Sequence, residues 1–196
     1  MLKKAVVLLK TLFYIFLVLV AGRIAFFQVK TKVTDNTGTY IYDLPFETGT
    51  KRQVMQGYGG LFSHRHIAAI DFSMPVGTPV CAAREGVVLA YRDDSNEGGI
   101  RGRYKNKANF IIIKHDDGTM GCYWHLQQNG VLVKSGRISK GQVIGLSGAT
   151  GQVIRPHLHF SVKRILNYDP DSFVKTKFRT HKGIVFLRAG AAYTKP

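Results

Sequence analysis

The stretch Pro156-His157-Leu158-His159-Phe160 decides how the rest of the chain is interpreted. In a β-strand the side chains alternate between two faces, so we expect His157 and His159 on one face and Leu158 and Phe160 in the opposite, apolar layer. Imidazole is a common metal ligand and a common proton carrier, and a strand holds its side chains more rigidly than a loop does. The pair therefore indicates either a chemical site or a polar strand face that happens to carry two histidines.

Short apolar runs separated by turn residues make up most of the surrounding sequence. Phe110–His115 is followed by Asp116-Asp117-Gly118-Thr119 and then by Met120–Leu126, and two apolar runs around an Asp-Gly turn are a strong hairpin signal. After the N-terminal segment, no stretch keeps a helical apolar period over about ten residues. The sequence therefore predicts a mainly β fold, built as a compact antiparallel sheet or a β-sandwich-like domain.

Composition and charge narrow the classes of partner. The chain has 45% hydrophobic and 20% charged residues, which is typical of a globular protein. Its formal net charge of +16 favours anionic surroundings such as nucleic acid, acidic lipid or an anionic envelope polymer. A dense Lys/Arg tract, a recognition helix and an aromatic RNA-binding signature are all absent from the sequence, so we do not expect nucleic acid as the partner.

The N-terminus has the pattern of an envelope-targeting segment. Lys3-Lys4 precede the apolar run Ala5–Ala21, which is interrupted only by Lys10 and Thr11. The run reaches the roughly 20 residues of a membrane-spanning helix if Lys10 extends its amine to the interface. Leu19-Val20-Ala21 is a poor signal-peptidase site. We therefore expect residues 1–28 to form an uncleaved transmembrane helix, with a cleaved signal segment as the alternative.

The rest of the chain is expected to divide into three parts. Residues 29–55 are polar and turn-rich, and they are interpreted as a linker with a lead-in strand near Thr39–Tyr42. Residues 56–165 form the main domain, within which Asp93–Lys107 is expected to be a long exposed loop, of the kind that is often functional. Residues 166–196 are expected to add a C-terminal β extension.

Several side chains could join His157 and His159 in a site. Asp71 lies in the apolar run Ala68–Phe72, where an unpaired charge would be costly, so it is either a metal ligand or part of a buried salt bridge. His125 follows Trp124 in a strand-like run, and it could reach the site or be a partly buried core histidine. The remaining histidines are His64, His66, His115 and His181.

Two cysteines, Cys81 and Cys122, lie in separate strand-like apolar contexts. Outside the cytosol such a pair can form a disulfide. The alternative is two buried thiols. Their spacing does not fit a cysteine zinc site, which usually contains close C-x-x-C pairs.

Five motifs, taken in order, resemble those of the LytM/lysostaphin-type zinc metallopeptidases, which cleave peptidoglycan peptides. They are Ser63-His64 with Ile70-Asp71-Phe72, the run Met74–Val88, Tyr123–Leu126, Gly141–Gly151 and Pro156–Phe160. The resemblance extends from about Gln56 to Lys163. It implies a compact antiparallel β fold that binds Zn²⁺ through a histidine, an aspartate and the second histidine of His-x-His.

The resemblance also assigns roles to individual residues. Asp71 and His159 correspond to metal ligands, while His157 and His125 correspond to the catalytic pair that acts as general base and as stabiliser of the tetrahedral intermediate. These roles agree with the chemistry of the side chains, because a positioned histidine contributes about 10²- to 10⁴-fold in rate through proton transfer.

The chain departs from the family pattern at the first metal ligand. The common form has a histidine four residues before the aspartate, and here Ile67 occupies that position. The candidates are His64 and His66, each an odd number of residues from Asp71, so either one requires a bulge or a turn. We prefer His64, because some family members carry a longer insertion after a segment similar to Gly59–His64.

The expected function is that of a membrane-anchored zinc endopeptidase, which hydrolyses peptide bonds in peptidoglycan cross-links or stem peptides during cell-wall remodelling. The expected location is the bacterial cell envelope, with the anchor in the inner membrane and the catalytic domain on the periplasmic side. The alternatives are a catalytically inactive relative that binds the wall or regulates another hydrolase, and a zinc peptidase that acts on proteins. The motifs specify no protein activator.

Overall fold

The structure is a computed structural model that describes residues 37–196. This range forms fifteen β-strands and two 3-10 helices, without an α-helix, so the prediction of a mainly β fold is confirmed. The strands are β1 Thr37–Asp43, β2 Lys51–Gln56, β3 Ala69–Ser73, β4 Pro79–Cys81, β5 Gly86–Arg92, β6 Gly98–Gly99, β7 Asn109–Lys114, β8 Met120–Val131, β9 Arg137–Ile138, β10 Val143–Ser147, β11 Gly151–Gln152, β12 His157–Lys163, β13 Lys175–Thr180, β14 Gly183–Val185 and β15 Ala192–Thr194. The 3-10 helices are Gly102–Tyr104 and Pro170–Ser172.

Between residues 37 and 196, no helix is long and apolar enough to cross a membrane. The transmembrane helix expected at residues 1–28 lies outside the residues that the structure describes.

A ten-stranded sheet forms the body of the fold. Its main order is β15-β2-β3-β12-β8-β7-β5-β9, and β10 joins it by pairing with both β8 and β4. All of these pairings are antiparallel, as predicted from the hairpin signals. The strand that carries the two histidines, β12, lies in the middle of the sheet, where it is held on both sides.

Two smaller sheets complete the fold, and each contains a parallel pair. β1 runs parallel to β13, which also pairs with β14. β6 and β11 form a two-stranded parallel sheet. Parallel pairing requires a long connection between the strands, and both pairs join segments that lie far apart in the sequence.

The apolar core covers one face of β12. Leu158 and Phe160 are 0% and 1% exposed, so the predicted alternation along this strand is observed. The ring of Phe160 lies 5.0 Å from that of Tyr123 and 5.9 Å from that of Phe178 on β13. The core thus lies between the ten-stranded and three-stranded sheets, and the other face of β12 is available for a site.

Residues 37–55, where a linker with a lead-in strand was expected, contain β1 and β2. Tyr42, Leu44 and Phe46 are at most 2% exposed and belong to the main core. This segment packs as part of the fold because its alternating apolar side chains fill the space beside β13.

The predicted hairpin is present as β7 and β8. The His115 amide donates to the Thr119 carbonyl, and Gly118 has a φ of +80°, which closes the turn. Cys81 and Cys122 are both buried and free, so they are two thiols and not a disulfide.

Candidate metal centre

Strand pairing brings the principal site residues together. On β12, His159 lies opposite Asp71 of β3 on one side and opposite Trp124 of β8 on the other. Directly paired residues of an antiparallel sheet share a face. His157 is two positions away on the same strand, so it shares that face too.

Three side chains form a cluster of candidate metal ligands: His64, Asp71 and His159. Asp71 Oδ1 lies 2.9 Å from His159 Nδ1 and 3.2 Å from His64 Nε2. The two imidazole nitrogens are 3.1 Å apart. His64 is fully buried and Asp71 is 6% exposed. This donor set, two imidazoles and a carboxylate, is typical of catalytic zinc sites.

The structure distinguishes the two candidates for the first ligand by position. Both lie in the turn segment between β2 and β3, which accommodates their odd separation from Asp71. His64 points inward, where its Nδ1–H donates to the Gly57 carbonyl at 3.2 Å and its Nε2 faces the cluster. His66 is exposed and is not part of the cluster.

The electrostatics of the cluster favour cation binding. Burial alone would raise the pKa of Asp71, but its close contacts with the His159 and His64 rings outweigh burial and hold the pKa well below its usual range. Burial lowers the pKa of His159 despite the nearby carboxylate. Near neutral pH the cluster therefore contains a carboxylate beside a neutral imidazole, which are the forms that bind metal.

His125 reaches the site because β8 contains a bulge. Leu126 pairs with Asn109 and Trp124 pairs with Phe110, so His125 is an extra residue without a partner on β7. Its backbone adopts a φ of +67°, which is uncommon for a residue other than glycine. Simple strand alternation does not predict this feature.

The bulge places His125 beside His157, with their ring centroids 4.7 Å apart. His125 Nδ1–H donates to the Thr150 carbonyl at 2.7 Å, and His157 Nδ1–H donates to the Arg155 carbonyl at 2.8 Å. In the neutral form of each ring, the free lone pair is therefore on Nε2. Burial lowers the pKa of His125 to about 3, and the neighbouring imidazoles act in the same direction, so this ring is neutral at physiological pH.

Two further features of the site were not expected from the sequence. Gln56, the last residue of β2, donates from Nε2 to Asp71 Oδ2 at 3.0 Å. On the other side of His159, the rings of Trp124 and Phe110 lie 4.5 Å apart on the same sheet face and are partly exposed. A polar residue at a strand end and an aromatic pair are common in β proteins, so neither had a distinctive signal.

The remaining histidines lie elsewhere. His115 is buried, donates from Nδ1 to the Glu85 carbonyl at 2.7 Å and packs against the ring of Tyr42. His181 is exposed, and its Nδ1 accepts a hydrogen bond from the Thr194 amide.

Comparison with known families identifies the chain. The sequence profile of peptidase family M23 matches residues 65–170, or 106 of 196 residues. The chain belongs to peptidase family M23. This agrees with the LytM/lysostaphin-type resemblance of its motifs, and the family consists of metallopeptidases. The M23 match begins one residue after His64, at the point where the sequence departs from the common pattern.

Two curated M23 relatives come from Vibrio cholerae. Peptidoglycan DD-endopeptidase ShyA is 42% identical over 93 residues, which cover 47% of this chain and 19% of the relative. Peptidoglycan DD-endopeptidase ShyC is 39% identical over 103 residues, which cover 52% of this chain and 20% of the relative. The chain thus spans about a fifth of the length of these relatives.

Solved structures of similar proteins include the catalytic domain of the antimicrobial peptidase lysostaphin from Staphylococcus simulans. It is 27% identical, with a TM-score of 0.46, covering 63% of this chain and 86% of that domain. A zinc-containing peptidase from Vibrio cholerae is 28% identical, with a TM-score of 0.48, covering 63% of this chain and 36% of that protein.

Proposed function

We propose that this M23 protein is a zinc-dependent endopeptidase that hydrolyses peptide bonds in peptidoglycan cross-links or stem peptides during cell-wall remodelling. The observation that carries the proposal is the buried cluster of His64, Asp71 and His159 with two additional histidines beside it. The relatives ShyA and ShyC, which are named peptidoglycan DD-endopeptidases, support the choice of substrate.

The proposed ligand atoms are His64 Nε2, Asp71 Oδ1 and His159 Nδ1. They fit Zn²⁺ because all three lie within 4.8 Å of one another and all belong to the nitrogen and oxygen donors that this ion prefers. When bound, Zn²⁺ would supply a Lewis acid that polarises the scissile carbonyl and lowers the pKa of a water molecule.

His157 and His125 are the proposed catalytic residues. Their Nδ1–H groups donate to main-chain carbonyls, so in the neutral form of each ring Nε2 has the lone pair that can accept a proton from the attacking water. An imidazole that has taken up this proton can then donate a hydrogen bond to the oxygen that develops negative charge, or pass the proton to the leaving amine. His157 Nε2 lies 3.7 Å from Asp71 Oδ1, close to the proposed ligands.

The proposed domain organisation follows the sequence and the strand order. Residues 56–165 form the peptidase domain, residues 166–196 its C-terminal β extension, and residues 29–55 the lead-in. Residues 1–28 are proposed to anchor the protein in the inner membrane, with the peptidase domain on the periplasmic side. The net charge of +16 suits a cell envelope with anionic polymers and lipids.

The decisive experiment incubates the full-length protein, kept in mild detergent, with purified peptidoglycan in the presence and absence of a chelator. We expect peptide fragments, detected by mass spectrometry, whose release is blocked by the chelator and by Asp71→Ala. A protein that binds zinc and peptidoglycan but releases no fragments would be an inactive wall-binding relative. Cleavage of a general protein substrate without cleavage of peptidoglycan would also contradict the proposal.

A further inference from the structure

The first proposed ligand, His64, lies in a turn segment, whereas Asp71 and His159 lie on paired strands. Residues 57–68 between β2 and β3 contain no strand. Within this segment the Ile67 amide donates to the His64 carbonyl at 3.1 Å. Both groups belong to the turn segment, so this bond does not connect the segment to Asp71 or His159. A site on a turn needs support from neighbouring groups if it is to match the precision of a site on strands.

Gln56 supplies a link between this turn segment and Asp71. Its side chain is 8% exposed and lies beside Asp71 at the end of β2. Nε2 donates to Asp71 Oδ2 at 3.0 Å and to Ser63 Oγ at 2.8 Å. Oε1 accepts from the amides of Phe62 and Ser63 at 3.1 and 3.2 Å. A side-chain amide has two N–H donors and two acceptor lone pairs, so its capacity is fully used.

The contact with Asp71 also determines which carboxylate oxygen faces the cluster. Gln56 occupies Oδ2, while Oδ1 is the oxygen within 3.2 Å of both His64 and His159. One amide group therefore fixes the rotation of the carboxylate and the position of the residues immediately before His64.

The side chain of Gln56 fits only because residue 60 is a glycine. A Cβ built on Gly60 would lie 2.4 Å from Cγ of Gln56 and 3.0 Å from its Oε1. Since Cγ is close to the main chain, the side chain of Gln56 cannot avoid such a methyl group by a small terminal rotation. Any larger residue at position 60 would move the Gln56 amide away from its four partners.

We propose that Gln56 is a positioning residue of the metal centre, which holds the turn-borne His64 and the carboxylate of Asp71 in the arrangement that binds the metal ion. This inference rests on the proposed zinc site. Gln56 thereby supplies to His64 the support that a strand would provide and a turn lacks.

The first test measures the affinity of full-length protein for Zn²⁺ by competition with a chromophoric chelator. Gln56→Met keeps the length of the side chain and removes its hydrogen bonds, so we expect about 10- to 100-fold weaker binding, the usual effect of losing a group that orients a ligand. The matched control is Gln53→Met on the same strand, because Gln53 is exposed and its amide donates to the Gly190 carbonyl, a group outside the proposed metal centre. The control should stay within about twofold of wild type.

Gly60→Ala tests the same role with Gln56 intact. We expect weaker Zn²⁺ binding here too, whereas Gly102→Ala, where a Cβ meets nothing within 4 Å, should bind normally. Melting temperatures measured in excess chelator separate loss of metal binding from loss of the fold. If Gln56→Met fails to fold, Gly60→Ala and Ser63→Ala decide the question.

The outcomes separate this inference from the proposed function. A wild-type protein that neither binds Zn²⁺ nor cleaves peptidoglycan would contradict the proposed function itself. A wild-type protein that does both, with Gln56→Met and Gly60→Ala binding Zn²⁺ within about threefold of it, would show that Gln56 has no positioning role.

Discussion

At the scale of single residues, the main chain determines how three of the four site histidines present their nitrogens. His64, His125 and His157 each donate from Nδ1 to a backbone carbonyl, which fixes the neutral tautomer with the lone pair on Nε2. His159 differs because its Nδ1 faces Asp71 directly. The site therefore contains Nε2 of three histidines and Nδ1 of the fourth, and a hydrogen bond accounts for the orientation of each ring.

The identity of the first ligand leads to a prediction with two matched variants. His64→Ala removes a buried donor of the cluster, so zinc occupancy measured by elemental analysis should fall strongly. His66→Ala removes an exposed side chain from the same turn segment, and occupancy should stay close to that of wild type. The reverse order of effects would assign the metal to His66.

The backbone of His125 leads to a second prediction. Its φ of +67° is strained for any residue with a Cβ and relaxed for glycine. His125→Gly and His125→Ala should both lower peptidoglycan cleavage by about 10²- to 10⁴-fold, since both lose the proposed proton carrier. His125→Gly should nevertheless be more stable than His125→Ala by about 1 kcal/mol in chemical denaturation. Equal stability of the two variants would argue against the strained conformation.

Sequence reasoning located the site residues that follow a simple period. The alternation of His157 and His159 with Leu158 and Phe160 depends only on the two-residue repeat of a strand, and this alternation is observed in β12. The bulge at His125 depends on the register between β7 and β8, which is a property of the folded sheet. Gln56 was missed because it lies 15 residues before Asp71 and outside the M23 match, so only the fold brings the two together.

At the scale of elements, strand pairing builds a row of side chains across the sheet face that contains the site. Asp71 on β3 pairs with His159 on β12, His159 pairs with Trp124 on β8, and Trp124 pairs with Phe110 on β7. The aromatic pair is therefore a partly exposed apolar surface directly beside the proposed ligands.

This row predicts a contribution to substrate binding. Trp124→Ala should raise KM for a stem-peptide substrate by about twofold to twelvefold, the effect of losing roughly 0.5–1.5 kcal/mol of aromatic contact. Zinc content should be unchanged. Tyr91→Ala is the control, because Tyr91 is 42% exposed but pairs with Ile111, which faces the core side of the sheet. An unchanged KM in Trp124→Ala would exclude the aromatic pair from the substrate path.

The β7–β8 hairpin turn predicts an acid-dependent contribution to stability. Partial burial would raise the pKa of Asp117, but hydrogen bonds from Thr119 and Arg84 outweigh it and lower the pKa to about 2. Because the pKa is lower in the folded than in the unfolded chain, this stabilisation is present above about pH 4 and is lost as the pH falls towards 2.

Asp117→Asn should therefore lower the melting temperature at pH 6, and the difference from wild type should shrink between about pH 4 and pH 2. Asp116→Asn, at the exposed neighbouring position of the same turn, is the control and should change little at any pH. A deficit in Asp117→Asn that stays constant with pH would contradict this account.

The elements themselves were predictable to different degrees. The β7–β8 hairpin followed from Gly118 and its flanking apolar runs, because the relevant interactions are local. The pairing of β1 with β13 joins Ile41 to Lys177. No local pattern specifies a contact at that separation, which is why the lead-in segment looked like a linker.

At the scale of the whole molecule, the predicted location can be tested by fractionation. If residues 1–28 anchor the protein, the full-length chain should sediment with membranes and resist extraction by high salt, because apolar insertion does not depend on charge screening. A chain that lacks residues 1–28 should appear in the soluble fraction. Release of the full-length protein by salt alone would point to attraction between its +16 charge and anionic surfaces instead.

The position of β12 in the sheet has a consequence for when the proposed activity can appear. Among the described residues, the path of paired strands from β15-β2-β3 to β8-β7-β5-β9 runs through β12. A nascent chain that ends before His157 thus holds two separate sheet fragments and lacks His159. Because such long-range pairing forms late and slowly, we expect the proposed peptidase activity to be absent while the chain is being synthesised, and to appear in the same step that joins the two parts of the sheet.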